Sequence, residues 1–567
     1  MLKSGHVSAL LLLLAPSSFL YLFYLSQRQR RRPLPPSLKG WPLIGNALDI
    51  PLQNAGPIYA TWAKKLGSNI LSANALGTNL IIVNSVEIAE DLLEKRAVKY
   101  SDRPVSTLVN ELMGWDWLFV FLPYSEPWKE CRRLFVQHFR PGDDPSRLNA
   151  NASQTTEFVN RFLVDLRRTP EEFYGLAKHM VGSLAISLAY GIPTRGRDDP
   201  LIQFVDSVAR MLTRLLTPGG NVVDLFPLLK YLPSWLPGAG FKRYAESVRY
   251  MPDKYRSEPY DQAVKSFGNS NVRPSFLSAA LAALEREDSQ PNSTAESTRS
   301  DRAQRLKYIK DTAATVYGTA TDTTASSIQT LIFALATHPH VREVVQAELD
   351  AVVFEKMPGA GHTLRLPTFE DREKLPYLMA TVMESLRWAP IAPIGVPRQT
   401  AQDDVYDGYF IPRGSVVIVN AWSMLHDEAE YGPDTKVFNP ERFLRIEKNT
   451  DNLEDKYELK STIRHPGKIL FGFGRRTCPG AHIAQSTLWL TAASLLTLFD
   501  FEHSENLESV TDLIGEKFDA GFMCFPHPFK CNFRVRSPEA AALLADLELA
   551  LQSEGVEEGS MGSDANL

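Results

Sequence analysis

The run Phe-Gly-Phe-Gly-Arg-Arg-Thr-Cys-Pro-Gly, residues 471–480, restricts what this chain can become more than any other stretch. Glycines at 472, 474 and 480 allow the backbone to approach a flat partner closely and to take up positive φ. Arg475 and Arg476 beside Cys478 favour the thiolate, the form of cysteine that binds metal. The apolar run from Gly480 to Phe499 has helical spacing, so the sulfur falls near the positive end of a helix. Amides in such a turn can donate to the sulfur and tune the electron density it passes to a metal. An isolated cysteine in a glycine-rich turn is ordinarily a buried thiol. The full spacing Phe471-x-x-Gly474-x-Arg476-x-Cys478-x-Gly480 points instead to a metal-binding thiolate. With only Cys131, Cys524 and Cys531 besides, a chain of 567 residues has too few cysteines for a disulfide scaffold.

Val7 to Leu25 carries no charge in 19 residues. As a helix rising about 1.5 Å per residue it would reach roughly 28 Å, close to a bilayer's hydrocarbon core. Arg28, Arg30, Arg31 and Arg32 follow at once, against Lys3 and the terminal amine ahead of it. The positive side stays in the cytosol, so the expectation is one transmembrane anchor within residues 1–27 and a cytosolic body. The other reading of this run is a cleaved signal peptide, for which it is long. Residues 28–46 are basic and proline-rich, with Pro33, Pro35 and Pro36 stopping helix propagation, and are expected to form a stiff linker. Residues 47–537 are then a single catalytic domain, and the acidic segment 538–567 an unstructured tail after a short helix.

The expected fold is mainly α with a minor β-sheet region. Residues 70–83 suit a strand pair, most of 85–390 repeats apolar residues at helical steps, and short strands return over 405–420. Residues 285–302 and 445–462 are polar enough for surface loops. With 61 basic against 66 acidic residues there is no basic footprint, which argues against a nucleic-acid partner.

The decapeptide resembles the haem-binding loop of the cytochrome P-450 superfamily, and other motifs of that family follow in order. Glu384-Ser-Leu-Arg387 resembles its ExxR helix, and Phe438-Asn-Pro-Glu-Arg442-Phe443 the segment that precedes the haem loop. Trp128 and Arg132 match the WxxxR helix. The likeness runs from Pro33 to about Val535. Within the family it is closest to fungal, membrane-anchored enzymes of secondary metabolism, the O-methylsterigmatocystin-oxidoreductase-like group. It implies the cytochrome P-450 fold and haem b, with iron on the Cys478 sulfur and Phe471 and Gly480 in the haem-binding loop. Trp128, Arg132, Arg398 and Arg476 would serve the haem propionates, and Glu384, Arg387 and Arg442 would form a structural charge network. Thr319-Ala-Thr-Asp322-Thr323-Thr324 matches the family's oxygen-activation motif at the acid and both threonines. Asp322 would supply protons, and Thr323 a hydrogen bond at the oxygen-binding position. Thr319 and Ala320 depart from the small residues usual there.

The resemblance further implies a monooxygenase that hydroxylates or epoxidises a lipophilic terpenoid, polyketide or indole-type molecule. No dinucleotide fingerprint or fused flavin module is present, so electrons would come from NADPH through a separate reductase, with cytochrome b5 as an additional donor. The reductase would dock on Lys129, Arg133, Lys468 and Arg475. Pocket walls are expected from Val105–Leu122, with Trp115, Trp117, Phe119 and Phe121, and from residues 204–235, Tyr317–Ala320, Ile391–Val396 and the region of Phe522. The expected location is the endoplasmic reticulum membrane, with residues 225–241 dipping into the lipid. A reductase-independent haem-thiolate isomerase or dehydratase and a non-catalytic haem-binding protein stay open as other readings.

Overall fold

A computed structural model describes residues 33–139, 145–194, 196, 199–216, 221–267, 273–288, 295–357, 361–447, 456–505 and 513–560. The anchor expected within residues 1–27 lies outside them. No helix among the described residues is long and apolar enough to cross a membrane.

The axis of the fold is a helix of 43 residues, α8 (Ala295–Thr337). Against it pack α2 (Glu126–Phe139), α4 (Phe173–Tyr190), α6 (Met251–Ser266) and α11 (Ala481–Leu498). Their sequences explain the layering. In α4 every residue from Met180 to Tyr190 is buried, and in α11 every residue from Thr487 to Leu498, because both helices are apolar all round and belong inside. Helix α2 is amphipathic and buries only Trp128, Cys131, Phe135 and Phe139. Helix α10 (Pro376–Trp388) starts on Pro376 with no side-chain cap of its own. Glu348 of α9 (Pro339–Val353) supplies one instead, accepting from the Tyr377 and Leu378 amides at 2.8 and 2.9 Å.

The main sheet has four strands. β1 (Ile70–Ala75) and β2 (Thr78–Val83) form the expected antiparallel pair, with Ile70 opposite Val83. β2 runs parallel to β4 (Val416–Val419), and β4 pairs antiparallel with β3 (Arg398–Gln399), which brings Arg398 opposite Val417.

Several local expectations change. Part of the expected linker is fixed to the body: the Pro33 carbonyl accepts from the Phe410 amide at 2.7 Å, and the Pro36 carbonyl from the Ser72 amide at 2.8 Å. Both ends of the polar stretch 285–302 are helical, α7 (Phe276–Asp288) running to Asp288 and α8 starting at Ala295. The stretch 445–462 holds a strand pair, Leu444–Glu447 against Lys456–Leu459. The tail, expected as a short helix followed by an unstructured end, is helical over Pro538–Ser560 as α12, and residues 561–567 lie outside those described. Helix α12 buries Ala540 and Leu544 one turn apart and pairs Glu548 with Arg168 of α3 (Pro145–Arg168). Apolar residues at helical spacing outweigh the acidic composition there.

Candidate active site

The cysteine loop closes on itself before α11 begins. The Cys478 amide donates to the Phe471 carbonyl at 2.8 Å, and the Thr477 amide and hydroxyl both donate to the Gly474 carbonyl. Gly472 and Gly474 take positive φ, +80° and +56°. At Gly474 the need is also steric, since a Cβ would lie 2.1 Å from the Leu93 carbonyl oxygen. Gly480 is different. Its φ is −90° and a Cβ would meet nothing closer than the Phe135 ring at 3.7 Å, so neither positive φ nor crowding requires glycine there. Its backbone amide instead favours the thiolate form of Cys478, lowering that thiol's pKa.

Cys478 is deep in the fold and yet open to solvent-sized space, which puts its sulfur at the wall of an interior cleft. Cys131, Cys524 and Cys531 are buried thiols that burial pushes up to about 12. Burial also raises the Cys478 thiol, but there the Gly480 amide and the Arg132 guanidinium pull the other way.

Four arginines gather around this loop. Arg132 donates to the Thr477 carbonyl at 2.6 Å, and Arg398 to the Phe473 carbonyl at 2.6 Å. Arg476 donates to the Ser101 and Leu122 carbonyls and lies over the Trp128 ring, 4.3 Å from its centre. Arg103, which the sequence motifs did not single out, binds the Val120, Val396 and Pro397 carbonyls and repels Arg476 and Arg398. Among the described residues no carboxylate lies within ion-pair distance of any of the four. Burial pushes Arg398 down to about 10; burial and then Arg398 push Arg476 down to about 9. The Nη1 of Arg398 is buried without an acceptor. Buried cations are ordinarily paired, so this constellation calls for an anionic group from outside the chain. A soft sulfur ligand, a glycine-shaped approach and unmatched guanidinium groups fit a flat metal-bearing macrocycle with two carboxylate arms.

Glu384, Arg387 and Arg442 come together as the motifs implied. Both carboxylate oxygens of Glu384 are used: Oε2 by Arg387 Nε at 2.7 Å, and Oε1 by Arg387 Nη2 at 2.8 Å, Arg442 Nε at 3.1 Å and the Asn439 amide at 2.8 Å. The remaining donors bind carbonyls of Leu425, Tyr431 and Val437, so this buried charge cluster is hydrogen-bonded throughout.

Asp322 and Thr323 are neighbours on α8 that point to different surroundings. Asp322 is buried, with Oδ1 3.7 Å from Lys178 Nζ of α4 and no hydrogen-bond partner. Burial raises its carboxyl and Lys178 lowers it. Lys178 also pairs at 2.9 Å with Asp206 of α5 (Pro200–Leu215), which in turn pairs with Arg210. A lone lysine in an otherwise apolar helix was the sequence signal for this partner. Thr323 is half-buried and donates back to the Thr319 carbonyl at 3.0 Å.

The aromatic residues expected as pocket walls are mostly core. Trp115, Trp117 and Phe119 are buried, and so is Tyr317. Tyr255 packs edge-on to Trp115 and stacks with Tyr317, ring centres 5.3 and 6.2 Å apart. Ring packing of this kind places these side chains in the core, although Trp117 also lines a cavity. Phe121, Ala320, Ile391, Val396, Phe522 and Met523 are half-buried, and Thr319 is exposed. A separate polar cavity of about 430 Å³, lined by Asp116, Trp117, Arg256, Lys307 and Asp311 among others, shares no residue with the cysteine loop.

Residues 35–533 match the family model described as Cytochrome P450. A cytochrome P450 monooxygenase (ple1) of Rhodocybe pseudopiperita is 36% identical over 524 residues, 92% of either chain. Tryptamine 4-monooxygenase of Psilocybe cyanescens is 36% identical over 517 residues, 91% of this chain and 95% of its own. A cytochrome P450 monooxygenase (COX1) of Coprinopsis cinerea is 34% identical over 544 residues, 94% and 98% of the two chains. With a sulfur-bearing loop and a set of unmatched arginines that fit haem b, this chain belongs to the cytochrome P450 family and is a haem-thiolate monooxygenase.

Proposed function

We propose that the enzyme hydroxylates or epoxidises a lipophilic small molecule of fungal secondary metabolism, with NADPH-derived electrons delivered by a separate reductase. Cys478 would hold the haem iron through its sulfur. The observation that carries this assignment is its position: of four cysteines it alone is open to the interior cleft, in a loop where the Arg132 guanidinium binds the adjacent Thr477 carbonyl. When bound, the haem supplies oxygen activation, and a thiolate ligand favours O–O cleavage. Arg132, Arg398 and Arg476 would hold its two carboxylate arms, with Trp128 backing Arg476 and Arg103 tying the Val120 and Val396 segments together. Asp322 holds the proton to be delivered at its Oδ1, poised between burial and Lys178. Thr323 would serve the oxygen-binding position by turning its hydroxyl away from the Thr319 carbonyl to which it now donates.

The described surface supports a membrane-facing side. Leu228, Tyr231 and Trp235 are exposed at 80%, 73% and 76%, and Leu43 and Leu48 at 89% and 76%. Exposed apolar residues of this size suit a lipid interface, consistent with an anchor ahead of them and with a substrate drawn from lipid. Lys129 and Arg133 are each paired with an acid of their own helix, Glu126 and Glu130, which leaves Lys468 and Arg475 as the stronger contributors to a reductase-docking face. Membrane-fraction protein co-expressed with an NADPH-dependent reductase and supplied with a panel of lipophilic fungal metabolites should form an oxygenated product. Cys478→Ser should lose both product and the carbon-monoxide band near 450 nm expected for the family. Survival of that band would remove Cys478 as ligand.

A further inference from the structure

Helix α8 carries a ladder of hydroxyls at four-residue steps. Thr315 donates to the Asp311 carbonyl at 2.8 Å, Thr319 to Thr315 at 2.8 Å, Thr323 to Thr319 at 3.0 Å and Ser327 to Thr323 at 2.9 Å. A hydroxyl has one hydrogen, and in each of these it is committed to the backbone. What such a side chain offers to its surroundings is an oxygen lone pair.

The rungs differ in what meets that lone pair. At Thr315 the Phe119 amide donates to it at 3.3 Å, and the residue is buried. At Thr319 none of the described residues donates to it. Thr319 is exposed although Thr312 to Tyr317 before it and Thr321 and Asp322 after it are buried, so its open side faces the interior. The position beside it, Ala320, has no polar group. A water path from the polar cavity at Asp311 down the ladder is closed at Thr315, whose oxygen is taken and covered. The acceptor at Thr319 is therefore left for whatever occupies the cleft. A hydrocarbon there would strip the oxygen of water and return nothing, whereas an O–H or N–H would pair with it.

We propose that Thr319 is a specificity-determining acceptor, and that the compound oxidised carries a hydroxyl or N–H donor close to the carbon attacked. This deepens the haem-thiolate reading above and rests on it. Two isomeric iron-binding probes test it: 4-phenylimidazole, which keeps a ring N–H when its other nitrogen binds iron, and 1-phenylimidazole, which has none. Their Kd values are read from the Soret shift of the haem-loaded full chain, in wild type, Thr319→Val and Thr319→Ser. The ratio of the two affinities cancels steric effects common to both isomers. The preference for 4-phenylimidazole should fall by about five- to tenfold in Thr319→Val, the range of one net hydrogen bond, and stay within about twofold in Thr319→Ser. Thr319→Ala lacks the same acceptor and should repeat the loss, which covers a valine variant that fails to load haem. A wild-type ratio in either variant overturns the proposal. Absence of any Soret shift in the wild type would instead strike at the haem-thiolate assignment beneath it.

Discussion

Replacing Glu384 with glutamine would isolate the buried charge cluster that ties α10 to the segment before the cysteine loop. Glu384 and Arg387 have no exposed side-chain surface, and Arg442 nearly none. A glutamine carbonyl placed at Oε1 can still accept from the Asn439 amide and from one guanidinium. Its NH2 must then face Arg387 Nε, donor against donor, where the carboxylate accepts at 2.7 Å. Two buried guanidinium groups would share no anion. Breaking a buried ion pair by removing one partner costs about 3–5 kcal/mol. Against a net stability of about 5–15 kcal/mol for a folded domain, that is anywhere from about a fifth to the whole of it. The expected outcome is a lowered urea midpoint by far-ultraviolet circular dichroism and poor haem retention, while Arg442→Lys, which keeps a charge near Oε1, loses less. A Glu384→Gln protein whose unfolding free energy from that urea titration falls by under about 1 kcal/mol, with full haem content, would refute the reasoning.

Three other perturbations follow from the same contacts. Lys178→Met removes the charge that holds the Asp322 carboxyl down, so the limb of the pH–rate profile along which activity falls as Asp322 loses its proton should move to higher pH; an unmoved limb would separate Lys178 from Asp322. Burial pushes Glu348 up to about 7 from an ordinary 4.5, so between those values the folded protein holds a proton that the unfolded chain releases. Stability from this group is full below about pH 4.5 and is lost as pH rises through about 7. Glu348→Gln should flatten that part of a denaturation-midpoint against pH curve. Gly474→Ala places a methyl against the Leu93 carbonyl at positive φ and should reduce haem incorporation, read as the haem-to-protein absorbance ratio, well below that of Gly480→Ala.

The cysteine loop, the Glu384–Arg387 turn and the strand pair at 70–83 were legible in the sequence because each is decided within a few residues. Glycine permits a backbone that other residues resist, an i,i+3 pair shares a helix face, and alternation selects a strand. Long apolar helices such as α4 and α11 were legible for the same reason. The tertiary structure alone decided which distant groups meet. Arg103 joins the arginine cluster from a position more than 300 residues before Arg476 and with no motif of its own. Glu348 caps a helix whose amides begin 29 residues later. The tryptophans at 115 and 117 were candidates for the pocket until Tyr255 and Tyr317 closed on them, while Thr319 was left open. Local pattern fixes the phase of a helix and hence which side chains share a face; it carries no record of the face on the other side, and burial, charge pairing and ligand access are properties of the two together.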